Sequence, residues 1–457
     1  MENRAETFQE NVIYRRELPV SDTEYDVVCV GGGSAGICAS IAAARHGART
    51  LLIERTGWLG GIGTTAAMVE FGPIVRGGLR VLGGIPWEIM RRMRQFGAAE
   101  TRFETEHLFF APESFAHVSM NMCLEAGVEL LLHTHFADVI RRGDHIEGIV
   151  VDAKEGLRVI RSRVYIDASG DGEVFFKAGL PFFCGREGDR GTQPMTLVFF
   201  VNNVNYARFL DHVDAEANGD PVPYFEKLVE KAREEGRFHI PITRPGSTGP
   251  VPRLGRPYDL SCCEVFINGT NVLGKSGTDS RELTEAECAA RNQIPEMYEF
   301  FRRYVPGFEE CYVSHVPSEI GVRETRRLKG VHTLTAEDLK TGRRFEDTVA
   351  VGFNMIDVHQ VAGHDFDLTH FRDGHYYSVP YRCLISGETD NLIVAGRCIS
   401  ATHEALGAVR VMVNTMPIAQ GAGTAAAIAA GERTDVRKIP AGELRSTLLS
   451  DGAVLEL

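Results

Sequence analysis

Residues 396–412, GRCISATHEALGAVRVM, place Arg397, Cys398, His403, Glu404 and Arg410 between an apolar strand at 391–395 and a small-residue run, QGAGTAAAIAAG. A substrate C–H surrenders its electron pair only if an adjacent O–H or N–H loses its proton, and a neutral imidazole is the commonest base for that task. His403 is therefore a candidate acid or base, Arg410 a candidate anion anchor, and Glu404 a candidate partner of Arg410 or Arg397. Arg323 and Arg326, in GVRETRRLKG, fit either a bidentate clamp on a carboxylate or phosphate or a structural pairing with Glu324 or Glu319. Arg327 and Lys329 read as a solvated face. His375, Tyr376, Tyr377, Tyr381 and Arg382 form an aromatic and basic cluster, and such clusters are more often core than binding site. Cys398 reads as a small buried thiol.

These side chains need a scaffold, and the N-terminal block writes one. In EYDVVCVGGGSAGICASIAAARHGARTLLIER a strand at 26–30 meets Gly31-x-Gly33-x-x-Gly36, a helix of small residues follows, and a second strand at 50–53 ends at Glu54. Gly31 allows the tight turn, Gly33 lets backbone approach a pyrophosphate, and Gly36 lets helix and strand pack closely. The helix start, including Ser34 and Ala35, offers free N–H groups to phosphates, and Glu54 is placed to accept hydrogen bonds from a ribose diol. Strand, glycines, helix and terminal acid together spell dinucleotide binding. The next segment, TGWLGGIGTTAAM at 56–68, is a long glycine-rich loop, which suits a bulky, buried cofactor. Beyond a helix near 114–126, residues 127–172 alternate as short strands with turn signals at Gly143-Asp144 and Glu155-Gly156. The last strand, 163–166, ends in a small-residue turn, so the segment reads as a β-meander closing an FAD-binding unit.

The expected organisation is α/β: a Rossmann-like FAD-binding domain, parallel sheet plus β-meander, interrupted by an inserted α+β substrate domain. The first part spans 25–185, the insert 186–369, the second part 370–435, and a C-terminal tail 436–457. In the insert, strands are expected at 195–201 and 263–267, with a helix opened by the capping box Thr284-x-x-Glu287 and kinked at Pro295. A helix is expected over 419–431, with Pro417 in its first turn and Asn414 or Thr415 as cap.

A net charge of −13 argues against nucleic acid or an anionic membrane as partner. No run approaches a membrane span, and the charged first 20 residues contain no secretory h-region. Ten cysteines without a C-x-x-C pair write neither a zinc cage nor an iron–sulfur cluster, so no metal is expected and a cytoplasmic location is.

Three stretches, VVCVGGGSAGICASIAAARHGARTLLIER, PSEIGVRETRRLKGVHTLTAEDL and NLIVAGRCISATHEALGAVRVM, together with GTQPMTLVFFVNNV, carry a family resemblance over residues 25–432. The chain resembles the FAD-dependent oxidoreductases with a glutathione-reductase type of FAD domain, distantly related to the fumarate reductase and succinate dehydrogenase flavoproteins. The resemblance implies FAD lying extended against Gly31, Gly33, Ser34, Ala35, Gly36, Glu54 and Arg55, then Gly61, Thr64, Asp171, Gly396, Arg397, Ala408 and Met416. It implies catalytic or substrate-binding roles for His403, Arg410 and Arg323; Gly407-Ala408-Val409-Arg410 matches the G-x-x-R in which fumarate-reductase-like proteins hold a substrate carboxylate. No second GxGxxG and no redox cysteine pair occur, so electrons come from, or go to, a partner other than a docked nicotinamide. The expected activity is hydride transfer between flavin N5 and a small polar, possibly anionic substrate. Rival readings are a monooxygenase using NAD(P)H and oxygen, and an FAD-binding redox or RNA-modifying protein without such turnover. Residues 57–68 contain no histidine to tether the flavin, so FAD is expected to be noncovalent. Acid precipitation of the yellow protein should leave the FAD in the supernatant; flavin retained in the pellet would refute noncovalent attachment.

Overall fold

The computed structural model describes residues 16–76, 78–102, 107–253, 259–361 and 366–457. The expectation about a secretory segment therefore lies mainly outside the described residues. A seven-stranded sheet forms the centre. Strand Val20–Val30 pairs in parallel with Thr50–Ile53 on one side and Gly156–Asp167 on the other. Glu129–Leu131 extends the sheet beyond Thr50–Ile53, and Leu392–Val394 pairs with the end of Gly156–Asp167, both in parallel. Strand His145–Ala153 runs antiparallel against the start of Gly156–Asp167, and His135–Arg142 antiparallel against His145–Ala153, giving the meander.

Register decides where a ligand can bind. Val30 lies opposite Ile53 and Asp167, Ile53 opposite Leu131, and Asp167 opposite Val394. All five parallel strands thus end at one level, and their following loops, starting at Gly31, Glu54, Leu132, Ala168 and Ala395, leave from one edge. Open α/β sheets bind ligands at that edge. Parallel strands covered on both faces read as continuous apolar runs, as Leu51, Leu52 and Ile53 do.

The small-residue run near the C-terminus has a steric cause. Helix Met412–Glu432 packs along helix Ser34–Arg45 so closely that a Cβ on Gly423 would lie 2.0 Å from the Ala39 carbonyl oxygen. This helix starts earlier than expected, at Met412, with Val411 as its N-cap, so Pro417 lies inside it and Asn414 and Thr415 are not caps. Helix His403–Val409 precedes it almost directly.

A second apolar core gathers residues from Met195 to Ile320, whereas buried residues between Leu328 and Val358 pack with the first core. It is built on antiparallel strands Thr248–Pro250, Cys263–Ile267, Phe199–Val204 and Tyr312–His315. The helix Ser280–Tyr304 begins one turn before the expected capping box, because the Asp279 carboxylate accepts from the Arg281 and Glu282 N–H groups. Thr284 consequently sits inside the helix and donates its hydroxyl to the Ser280 carbonyl, and Pro295 is carried within the helix without ending it.

The three fingerprint glycines separate by mechanism. Gly31 has φ of +103°, where side chains are strained, and a Cβ on Gly36 would lie 1.8 Å from the Gly31 carbonyl oxygen. Gly36→Ala should therefore abolish soluble, cooperatively folded protein, measured by yield and thermal unfolding; a wild-type melting temperature would contradict the close approach.

Candidate active site

A groove follows the C-terminal edge of the sheet. Its walls include Gly31, Gly33, Ser34, Ala35, Glu54, Arg55, Gly61, Asp171, Gly396 and Arg397. Gly36, Thr64, Ala408 and Met416, expected beside them, line the walls nowhere. Gly36 serves packing, the Thr64 hydroxyl donates to the Gly61 carbonyl at 3.1 Å, and Ala408 and Met416 are buried within their helices. Glu54, on the strand end, accepts from the Gly32 N–H at 2.7 Å and from the Thr56 N–H at 2.8 Å. Arg397 spans to Asp171 at 2.6 Å and Thr325 at 2.8 Å, and Arg55 pairs with Glu319 at 2.8 Å. Thr415 and Met412, from the first turns of helix Met412–Glu432, complete one end. That end is a helix N-terminus whose N-cap has no side-chain cap bond, so it presents a positive dipole end to the groove.

Gly33 tests whether this groove fits a dinucleotide. Its φ is −70°, which any residue adopts, and an added Cβ would meet no protein atom closer than Gly61 Cα at 3.9 Å. Neither strain nor packing demands glycine here. The space beside it is demanded by an occupant that is not protein, at the helix start where pyrophosphate binds.

A second cavity of about 280 Å³ adjoins the groove, sharing Ile62, Ala66, Gly321, Arg410 and Met412 with it. Arg323, Arg410, Asp357 and His359 stand in its wall together. Arg323 Nη1 donates to the Pro194 carbonyl and the Thr196 hydroxyl, each at 2.7 Å. Arg410 Nη2 donates to the Asp357 carbonyl at 3.0 Å and its carboxylate at 3.1 Å, while its buried Nε has no partner. Both guanidinium groups are pulled below their ordinary range, first by burial; for Arg323 the nearby Arg410 charge adds to this. Of the wall's two carboxylates, Asp357 and Glu70, it is Asp357 that pairs with Arg410, and a third cation, Arg244, lines the same cavity. His359 Nε2 lies 3.5 Å from the Asp357 carboxylate. Burial, then the Arg323 charge, pushes the His359 imidazole down to about 4, leaving it neutral at ordinary pH.

Asp357 and His359 went unread in the sequence, yet Asp-x-His on a strand puts both side chains on one face; the strand is Ile356–His359. Glu70 and His107 of the same cavity were missed too. His403 does not line the cavity: its Nδ1 lies 2.8 Å from a Glu324 carboxylate oxygen, and both are buried. Arg327, expected on a solvated face, is 2% exposed and donates to Glu324 at 2.8 Å and to the Gly185 carbonyl at 2.7 Å. Arg326 is no clamp partner for Arg323; it stacks on Phe176 at 3.9 Å and donates to the Asp171 carbonyl. Glu404 is exposed, and Arg410 and Arg397 take Asp357 and Asp171 instead.

The aromatic cluster is structural: Tyr377 and Tyr381 are buried, with Tyr381 donating to the Val436 carbonyl, and Arg382 pairs with Asp347. Burial raises the Cys398 thiol well above its ordinary range, so it is inert. Among the described residues no helix is long and apolar enough to cross a membrane, and no cluster of ligating side chains is placed for a metal.

The profile of a family described as "FAD dependent oxidoreductase" matches residues 26–448. Digeranylgeranylglycerophospholipid reductase 1 of Methanopyrus kandleri is 29% identical over 150 residues, 32% of this chain and 40% of that protein. Digeranylgeranylglycerophospholipid reductase 2 of Methanothermobacter thermautotrophicus is 29% identical over 163 residues, 34% of this chain and 42% of that protein. The chain thus spans about two-fifths of the length of the curated relatives it matches. A solved geranylgeranyl bacteriochlorophyll reductase-like protein of Thermoplasma acidophilum is 13% identical, with a TM-score of 0.47, covering 94% of this chain and 84% of that one.

Gly33→Val should fold with wild-type circular dichroism and melting of the flavin-free form, yet purify with less than about a tenth of the normal flavin. Full flavin content in that variant would remove the groove from consideration.

Proposed function

Because the chain belongs to the FAD dependent oxidoreductase family, we propose that this flavoenzyme oxidises or reduces a small anionic molecule in the cavity shared with the FAD groove. The observation that carries the reading is that Arg323 and Arg410 stand together with Asp357 in the wall of that cavity, with Arg410 also lining the groove. Gly31, Gly33, Ser34, Ala35 and Glu54 would hold the ADP part of FAD, and Gly61, Arg397, Met412 and Thr415 the remainder. Bound FAD supplies two-electron chemistry at its N5.

The protein's residues divide the remaining work. Arg323 and Arg410 bring two guanidinium groups to one wall, where a substrate carboxylate or comparable oxyanion is bound and fixed in orientation. The neutral His359 imidazole accepts the proton of a substrate O–H or N–H in oxidation and returns it in reduction. Asp357 holds the Arg410 guanidinium and stabilises the imidazolium after proton uptake. Met68, Phe71, Val198 and Met355 add apolar surface to the wall. We assign the proton to His359 in place of His403, because His359 lines the cavity and His403 sits behind it on Glu324. Covalent tethering plays no part in this reading.

The pH dependence follows from the direction of the His359 shift. The base form exists above its pKa, so kcat/KM for oxidation should stay flat well below the ordinary histidine value and fall only as pH drops through about 4. Arg323→Gln removes a charge that depresses His359. The acid limb should then move upward toward the usual imidazole range, with KM raised roughly 10- to 100-fold by the lost charge-assisted bonds. His359→Asn should cut kcat roughly 100-fold at unchanged flavin content. A pH–rate profile unaltered in Arg323→Gln, or full kcat in His359→Asn, would overturn the assignment.

A further inference from the structure

The substrate cavity contains a second pair of titratable groups on neighbouring strands. Glu70 comes from strand Glu70–Pro73 and His107 from strand His107–Phe110, which pair antiparallel. His107 Nδ1 lies 2.5 Å from Glu70 Oε1, and both side chains line the cavity but not the FAD groove. The Glu70 side chain is 9% exposed. Among the described residues its only hydrogen-bond partner is His107, and that bond uses Oε1. Oε2 of this largely buried side chain therefore accepts nothing from the described residues and is left to the cavity.

A ligand that fills the cavity displaces water from this oxygen and must donate to it in turn or leave it unpaired at a cost. The surroundings of the oxygen narrow what donates. Met68, Phe71, Val198, Met355 and Leu368 give the cavity apolar walls, so the donor belongs to a ligand whose body is apolar. The arginine pair in the same cavity offers the opposite chemistry, cationic donors. We propose that Glu70, braced by His107, is a specificity site that reads a hydrogen-bond donor on the substrate, a hydroxyl or an ammonium. The substrate class is then a compact apolar molecule carrying an anionic head for Arg323 and Arg410 and a donor group for Glu70. The assignment of the head rests on the function proposed above; the assignment of the donor rests on Glu70 alone.

The size of the effect follows from what is left unmade. A ligand lacking the donor keeps a buried oxygen unpaired, and sites built to bond a substrate group reject the analogue without it by large factors. A hydroxyl bonds a carboxylate or an amide oxygen, whereas an ammonium depends on the charge, so Glu70→Gln distinguishes the two donors.

The test is calorimetric titration of the FAD-loaded protein with phenylpropanoate, para-hydroxyphenylpropanoate and para-aminomethylphenylpropanoate, and with the amides of the first two, which lack the anion. In the wild type, at least one donor-bearing acid should bind about tenfold or more tightly than phenylpropanoate. Glu70→Leu should erase that preference while leaving phenylpropanoate affinity within about twofold. Glu70→Gln should retain the preference for a hydroxyl and lose it for an ammonium. If Arg410→Gln leaves every acid unaffected but the hydroxylated amide still outbinds the plain one in a Glu70-dependent way, the anionic head is wrong and the donor site stands. Equal binding with and without the donor, a preference that survives Glu70→Leu, or no binding by any of the five compounds overturns the proposal. Wild-type flavin content and melting temperature in the Glu70 variants guard against misfolding as the cause.

Discussion

The structure depends on one close approach. Helix Ser34–Arg45 lies against its own strand turn through Gly36 and against helix Met412–Glu432 through Gly423, with room for no side chain at either contact. This joins the two ends of the sequence into one edge. Gly33 and Glu54 from the beginning of the chain and Gly396, Arg397 and Met412 from its last part then share one groove. Leu392–Val394 reaches its position beside Gly156–Asp167 in the same assembly, so the shared level of the strand ends and the continuity of the groove have one cause. Dispersion and apolar burial at near-contact distances favour this arrangement, and alanine or glycine is the only vocabulary that permits it.

Against this apolar frame, charge is distributed in two layers. In the wall of the second cavity, Arg323 and Arg410 stand beside the Asp357 carboxylate, and on the function proposed above an anionic ligand binds to that pair. Behind it, the buried Glu324 carboxylate pairs with both Arg327 and His403. Breaking such a buried pair by removing one partner costs roughly 3–5 kcal/mol, because the survivor's charge stays buried. The contrast is one of placement: Arg323 and Arg410 line the cavity, whereas Glu324, Arg327 and His403 do not. By that criterion Glu70 belongs with Arg323 and Arg410.

How much of this was legible follows the range of each interaction. The β-α-β fingerprint, the meander and the last strand are written in contiguous residues, and the family resemblance and the FAD cofactor came from them. Asp357 and His359 were missed because their meaning arises from apposition to Arg323 and Arg410, which come from other parts of the chain. Arg326 and Arg327 show a signal that was present but unused. Successive residues of a strand point to opposite faces, so in Arg326–Leu328 one arginine stacks outward on Phe176 and the next enters the core against Glu324. The capping box at Thr284 was overridden by an equally local competitor, Asp279, one turn earlier. The small-residue run ahead of Glu432 was read as close packing, but the helix start was misplaced, since Pro417 tolerates a later position than the first turn when the preceding segment already turns through Val411.

The dense polar stretch at 396–412 resolves into three separate duties. Arg397 turns toward Asp171 in the groove, Arg410 toward Asp357 in the cavity, and His403 toward Glu324 between them. The last of these still reaches the reacting region. The Glu324 carboxylate that holds His403 also accepts from the Gln193 N–H at 3.1 Å, and the Gln193 side-chain oxygen accepts from the His359 N–H at 3.2 Å. A continuous set of hydrogen bonds thus runs from His403 through Glu324 and Gln193 to the backbone of His359. Because each member is buried or nearly so, a change in any one must be absorbed by the others and not by water. On the function proposed above, His403 acts through the position of His359, and the imidazole conspicuous in the sequence supports the less conspicuous one.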